Sequence, residues 1–113
     1  MPNDDDQRHH FRVRYPAGAR PAFKLAENQL SVSELSEGGM RVVGMSTDIA
    51  EGMSVRGTIE LCAGGRCEVS AVVGRVDGDE RVLIQLEGVS FAAVMREQQH
   101  LVRRFPDYRD KLR

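Results

Sequence analysis

The chain has 113 residues, which is enough for one domain built around a single hydrophobic core. Its formal net charge of -1 excludes bulk positive charge as a route to nucleic acid or to a membrane surface. Aromatic residues make up 5% of the chain and tryptophan is absent, which are too few aromatic rings to stack the bases of DNA or RNA.

Residues 1–10 are charged and nearly devoid of apolar side chains, a composition typical of a flexible N-terminal segment. A secretion signal begins with basic residues that are followed by an apolar stretch, whereas this chain has the acidic run Asp4–Asp6 at the same place. The chain has no apolar run near the ~20 residues that span a bilayer. We therefore expect a cytoplasmic protein that does not insert into a membrane.

Short segments that alternate apolar and polar residues follow from position 11 onward, separated by polar or glycine-containing turns. The first, from Phe11 to Pro16, has the pattern of a half-exposed extended segment. Strands are predicted over residues 22–26, 29–35, 40–45, 53–61, 67–76 and 82–86.

Paired glycines mark two of the predicted turns. Gly38 and Gly39 predict either positive φ angles or a backbone that must approach a neighbour closely. Gly64-Gly65 predicts a hairpin across which Cys62 and Cys67 face each other. Two thiols do not complete a tetrahedral zinc site, so no metal site is predicted.

The pattern changes after Gly88 to apolar residues at nearly helical spacing, from Phe91 to Phe105. Ser90 is the expected N-cap of this helix, and Pro106 ends it. A series of short antiparallel strands followed by one helix is typical of a small β-barrel, which closes its own edges. The domain is predicted to span residues 11–106, with residues 107–113 as a tail.

Enzyme signatures are absent from the sequence. The glycines lie in hairpin turns and form no phosphate-binding loop between a strand and a helix. There is no nucleophile elbow, and the predicted barrel contains no histidine. We therefore expect a protein that is not an enzyme.

Arg8 and Arg12 form the clearest candidate for an anion-binding pair. In an extended chain they share a face roughly 13 Å apart, at ~3.3 Å per residue, and in a helical turn they lie closer on one face. Both guanidinium forks then project to the same side, where they suit phosphates and guanine edges. The alternative interpretation is a solvated basic patch that balances Asp4–Asp6.

These two arginines and a later segment, Glu34-Leu35-Ser36-Glu37-Gly38-Gly39, together resemble the PilZ domain family of bacterial cyclic di-GMP receptors. The family is recognised by Arg-x-x-x-Arg before the barrel and Asp/Asn-x-Ser-x-x-Gly on a strand and its turn. The chain departs from this pattern at Glu34, where the family has Asp or Asn. The GGMRV and LEGVSF segments are also similar, so the resemblance extends over about residues 7–105.

The resemblance implies an all-β fold, a six-stranded antiparallel β-barrel with a C-terminal α-helix. It also implies that cyclic di-GMP lies on the outer surface of the barrel, clasped by the N-terminal arginine segment. The residues expected to contact this ligand are Arg8, Arg12, Glu34, Ser36 and Gly39, with Arg14 and Arg41 as candidate further contacts.

Each expected contact has a chemical rationale. The arginines would pair with phosphate oxygens or with guanine O6 and N7. Glu34 would accept hydrogen bonds from guanine N1–H and N2–H, Ser36 offers a hydroxyl, and Gly39 allows close approach of the backbone. Ser36 and Gly39 are also residues that any tight turn would use.

The function implied by the resemblance is that of a receptor or adaptor. It would change conformation on binding cyclic di-GMP and signal to a protein partner in the control of motility, adhesion or biofilm formation. The alternative is a degenerate PilZ adaptor that does not bind the nucleotide and acts by protein–protein contact.

Overall fold

The computed structural model describes residues 12–44 and 49–108. These residues form seven antiparallel strands, one α-helix and two short 3-10 segments, at Ala17–Ala19 and at residues 106–108. The helix, α1, spans Phe91–Arg104. The strands are β1 (Arg12–Arg14), β2 (Ala22–Leu25), β3 (Asn28–Ser36), β4 (Gly39–Val43), β5 (Ser54–Glu60), β6 (Arg66–Asp77) and β7 (Glu80–Glu87).

Six of the strands close into a barrel in the order β3-β2-β5-β6-β7-β4, because β4 pairs back with β3. The predicted six-stranded antiparallel barrel with a C-terminal helix is therefore confirmed. Inward-facing residues alternate along each strand and form one core, with Phe23, Leu35, Ile59 and Leu83 among its largest fully buried side chains.

The long strand β3 is shared between two partners on one side. Its first residues, Asn28–Ser31, pair with β2, and its last, Glu34–Ser36, pair with β1. On its other side β3 pairs with β4, with a register shift between Val32 and Glu34. The short strand β1 thus lies beside the end of β3 that leads into β4.

Helix α1 packs against β1 and β3. Ser90 caps it as predicted, since its hydroxyl accepts a hydrogen bond from the Ala93 N–H at 3.1 Å. The helix ends before Phe105, whose N–H donates to the Leu101 carbonyl. Within the described residues, no helix has the length and apolar character needed to cross a bilayer.

At the first paired-glycine turn neither Gly38 nor Gly39 has a positive φ angle, but Gly39 does approach a neighbour closely, which was the other predicted alternative. At the second turn Gly64 and Gly65 have positive φ angles, and the structure corrects the predicted position of the cysteines. Cys67 lies opposite Ile59 rather than opposite Cys62, because the β5–β6 ladder ends at Glu60.

The domain also extends further than predicted at its C-terminal end. Tyr108, assigned to the tail from the sequence, is 2% exposed and belongs to the core. The packed domain therefore reaches at least residue 108. The predicted flexible segment, residues 1–10, lies outside the described residues.

Candidate ligand-binding site

A surface pocket of about 170 Å³ lies where β1, β3, β4 and β7 come together. It brings together five of the seven residues predicted from the sequence. Its lining is Arg12, Glu34, Leu35, Ser36, Gly39, Met40, Arg41, Val82, Leu83 and Ile84. Of the other two predicted residues, Arg14 lies beside the pocket and Arg8 lies outside the described residues.

Strand register sets the positions of the charged residues in the pocket. Between β1 and β3, Arg12 lies opposite Ser36 and Arg14 lies opposite Glu34. Between β3 and β4, Glu34 lies opposite Arg41. Directly opposed residues present their side chains on the same face of a sheet. Glu34 is therefore flanked by an arginine on each neighbouring strand.

The Glu34 carboxylate contacts three guanidinium groups. Its oxygens lie 3.7 Å from Arg12 Nη1, 3.9 Å from Arg14 Nε and 3.8 Å from Arg41 Nε. All three distances exceed the ~3.2 Å limit of a good N–H···O hydrogen bond, so these are ionic contacts without hydrogen bonding. The side chains of Arg12 and Arg14 are 58% and 70% exposed, which leaves them free to turn toward another anion.

Arg41 is held more firmly than the other two arginines. Its Nη1 donates a hydrogen bond of 2.9 Å to Glu80 Oε1 on β7. This hydrogen bond is the main cause that raises the pKa of Arg41, and the Glu34 charge adds to it. Its Nε is buried without a hydrogen-bond partner, which costs about 1–3 kcal/mol for a typical donor. Glu34 Oε2 lies 3.8 Å from this donor, beyond hydrogen-bonding distance.

Ser36 and Gly39 shape the turn at the edge of the pocket. The Ser36 hydroxyl donates to the Gly39 carbonyl at 3.1 Å, so it holds the turn as well as lining the pocket. A Cβ atom on Gly39 would lie 3.0 Å from the Leu83 carbonyl oxygen of β7. Glycine at position 39 is thus favoured by close packing between β4 and β7 rather than by an unusual φ angle.

The sequence did not indicate the β7 wall of the pocket, which consists of Val82, Leu83 and Ile84. These residues reach the site through the β4–β7 pairing, in which Gly39 lies opposite Ile84 and Arg41 opposite Val82. In the structure Ile84 is an apolar residue of this wall that is 42% exposed. No local pattern predicts which strand will pair with β4.

A second feature missed from the sequence is the buried carboxylate of Glu97 on α1, which is fully inaccessible to solvent. It is not part of the pocket lining. Across residues 12–44 and 49–108, no cluster of three or more histidine, cysteine, aspartate or glutamate residues could hold a metal ion.

Solved structures that resemble this fold include a Bacillus protein and a Legionella protein. The Bacillus subtilis inhibitor of motility, MotI/DgrA, aligns with a TM-score of 0.58 and 22% identity over 87% of this chain and 50% of that one. The chain thus spans half the length of the Bacillus protein. An uncharacterized Legionella protein, Lpg0364, aligns with a TM-score of 0.50 and 21% identity, over 89% of this chain and 99% of that one. A search of the curated proteins found no match.

The family model of the PilZ domain matches residues 6–105, nearly the whole chain. The matched region contains the complete barrel, the pocket and helix α1. Its first residues also include the Arg8-x-x-x-Arg12 segment that the sequence singled out. The chain therefore belongs to the PilZ domain family.

Proposed function

We propose that this protein is a receptor for cyclic di-GMP, which binds in the pocket between β1, β3, β4 and β7. The observation that carries the proposal is the convergence of Arg12, Arg41, Ser36 and Gly39 on that pocket, in a chain of the PilZ family. Ser36, Gly39 and Arg41 lie within one short segment of the sequence, whereas Arg12 lies far from that segment. The fold brings them together on one surface patch.

The chemistry of the pocket suits a dianionic guanine nucleotide. Arg12 and Arg14 are exposed and present guanidinium forks that bind phosphate or guanine O6 and N7 bidentately. Each well-formed bidentate pair contributes about 1–3 kcal/mol. Arg8, four residues before Arg12, would add a further fork. Glu34 supplies an acceptor for guanine N1–H and N2–H.

Binding would change the conformation around β1. The ligand phosphates would draw Arg12 and Arg14 away from Glu34, since the existing contacts of 3.7 and 3.9 Å are weak and solvent-screened. The segment before β1, which carries Arg8, would then contact the ligand and alter the surface offered to a protein partner. Through that partner the protein would act in motility, adhesion or biofilm control in the cytoplasm. The fold shared with a protein named as an inhibitor of motility supports a role in motility.

Isothermal titration calorimetry with cyclic di-GMP tests the proposal directly. We expect saturable binding by the full chain that Arg12→Ala weakens about 10-fold or more, equivalent to about 1.4 kcal/mol. Arg56→Ala is the matched control, because Arg56 is an exposed arginine on β5, which neighbours none of the four pocket strands. Absence of binding by a folded wild-type protein would refute the proposal, as would equal affinities for the two variants.

The alternative function is an adaptor that acts by protein–protein contact without the nucleotide. The observation that favours it is that the arginines already have acidic partners, which a nucleotide would have to displace. Glu34 contacts all three, and Glu80 holds Arg41 by a hydrogen bond. If the wild type does not bind, Glu34→Asp tests whether the contacts of Glu34 are the cause, because the shorter side chain withdraws the carboxylate from the arginines. A variant that binds cyclic di-GMP where the wild type does not would identify Glu34 as the block. Absence of binding by both would favour the adaptor.

A further inference from the structure

The arginine strand β1 is short. It has three residues and pairs with one strand, β3, through the positions of Glu34, Leu35 and Ser36, and the Tyr15 N–H just after it donates a hydrogen bond of 2.9 Å to the Ser33 carbonyl. Three-residue ladders at the edge of a sheet are weak, and here the ladder carries Arg12 and Arg14, both of which face Glu34. Something else must fix where their guanidinium groups point.

One anchor is Tyr108, which follows helix α1. The backbone N–H of Arg14 donates a hydrogen bond of 3.1 Å to the Tyr108 hydroxyl oxygen. Tyr108 is 2% exposed, and burial raises its pKa, which keeps the hydroxyl neutral. The hydrogen bond fixes the main chain at the residue whose side chain contacts Glu34.

The second anchor is Glu97, in the middle of α1. Its carboxylate is fully buried and accepts three hydrogen bonds: from the Tyr15 hydroxyl at 2.6 Å, the Cys62 N–H at 3.0 Å and the Ala63 N–H at 2.6 Å. Burial raises the pKa of Tyr15, and the hydrogen bond to Glu97 raises it further. A buried carboxylate is tolerated when its oxygens are satisfied in this way. Tyr15 directly follows β1, so Glu97 joins β1 to α1 and to the β5–β6 hairpin.

We infer that Glu97 and Tyr108 are positioning residues for the ligand site, which set the place of β1 and thereby the direction of Arg12 and Arg14. The inference rests on the proposed function. Tyr108 fixes the main chain at Arg14, and Glu97 fixes it at Tyr15. Val13, which precedes Arg14 on β1, is completely buried. Loss of either anchor leaves the arginines present but poorly oriented, and precise orientation is what bidentate recognition requires.

Two hydroxyl deletions, Tyr108→Phe and Tyr15→Phe, test the inference in the full chain. Each keeps the aromatic ring in the core. Tyr108→Phe removes the hydrogen bond from the Arg14 N–H, and Tyr15→Phe removes the hydrogen bond to Glu97. We expect each to weaken cyclic di-GMP binding about 3- to 10-fold in calorimetry, on the scale of one lost hydrogen bond. Ile59→Val is the control, since it loosens the core at a fully buried residue on β5 and should leave the affinity unchanged.

A double-mutant cycle separates positioning from general destabilisation. If Tyr108 acts through the arginines, Tyr108→Phe will weaken binding less in an Arg12→Ala background than in the wild type. Additive effects in the cycle would overturn the inference. So would wild-type affinity in both hydroxyl deletions.

Amide hydrogen exchange of the ligand-free protein supplies a readout that does not depend on cyclic di-GMP. We expect the Arg14 N–H to exchange faster in Tyr108→Phe than in the wild type. In Ile59→Val it should exchange more slowly than in Tyr108→Phe. Unchanged protection in Tyr108→Phe would overturn the anchoring of β1. Suppose that Tyr108→Phe loses this protection and that the wild type does not bind cyclic di-GMP. This result would support the anchoring of β1 and overturn the proposed function.

Discussion

At the scale of single residues, the most unusual feature of the pocket is the number of arginines around one carboxylate. Glu34 contacts Arg12, Arg14 and Arg41, yet none of these contacts is short enough for a hydrogen bond. The two pairs made by the exposed Arg12 and Arg14 contribute about 0–1 kcal/mol each. The Glu34 carboxylate thus keeps the three arginines near one another. A ligand that displaces this carboxylate loses little free energy by breaking its contacts with Arg12 and Arg14.

Gly38 and Gly39 offer a matched pair of substitutions at the edge of the pocket. We expect Gly39→Ala to destabilise the fold by about 1–3 kcal/mol and to weaken ligand binding, because its Cβ would press on the Leu83 carbonyl at 3.0 Å. A Cβ on Gly38 meets nothing within 4 Å, and its φ angle is not positive. Gly38→Ala is therefore expected to be nearly neutral.

Urea denaturation and calorimetry of both variants measure these effects. Equal stabilities and affinities for Gly39→Ala and Gly38→Ala would show that β4 can move away from β7 at no cost. In that case the close approach would not explain the glycine at position 39.

At the scale of elements, alternation of apolar and polar residues was sufficient to predict the strands. Each predicted strand overlaps an observed one, because a barrel wall exposes one face and buries the other. The cysteine pairing was wrong because alternation does not reveal where a ladder ends. The β5–β6 ladder stops at Glu60, and Cys62 lies in the turn beyond it.

The apolar face of α1 could have revealed Glu97. Its buried residues are Ala93, Val94, Glu97 and Leu101, so the carboxylate lies within the apolar stripe of the helix. Phe91, in contrast, has the spacing of a core residue but is 48% exposed at the start of the helix. A charged residue in the middle of the apolar stripe of a helix indicates a buried polar contact.

The β5–β6 hairpin provides a test of the Glu97 charge through the thiol of Cys62. Burial raises the pKa of Cys62 from 9.0 to about 11, and the nearby Glu97 carboxylate contributes to the increase. The neutral thiol is therefore favoured in the folded state, and thiolate forms only as the pH approaches 11. At pH 8 the folded protein should hold about 100-fold less thiolate than a cysteine with its ordinary pKa.

Alkylation by iodoacetamide, followed in a Cys67→Ser background, measures this pKa because only the thiolate reacts. We expect a slow rate at pH 8 that rises about tenfold per pH unit toward pH 11. Glu97→Gln should lower the pKa and speed the reaction at pH 8 in protein that remains folded by circular dichroism. A rate that levels off below pH 9 would contradict the raised pKa.

At the scale of the whole molecule, barrel closure creates the site. The motif residues on β1, β3 and β4 were predictable because they lie in two short segments with a recognisable spacing. The β7 wall was not, since it depends on β7 pairing with β4 across more than 30 positions of the chain. The boundary at residue 107 was misplaced for a similar reason, because Tyr108 is buried by contacts with a strand at the other end of the sequence.

Two shortened chains test how far the folded domain extends. A chain that ends at residue 108 keeps Tyr108 and its hydrogen bond to the Arg14 N–H, so we expect a thermal stability close to that of the full chain. A chain that ends at residue 106 loses a buried aromatic side chain, which costs about 3–5 kcal/mol in comparable cases. For a domain of this size that loss corresponds to a fall of more than about 10 °C in Tm. Equal Tm values for the two shortened chains, measured by circular dichroism, would place the end of the domain at Pro106, as the sequence alone suggests.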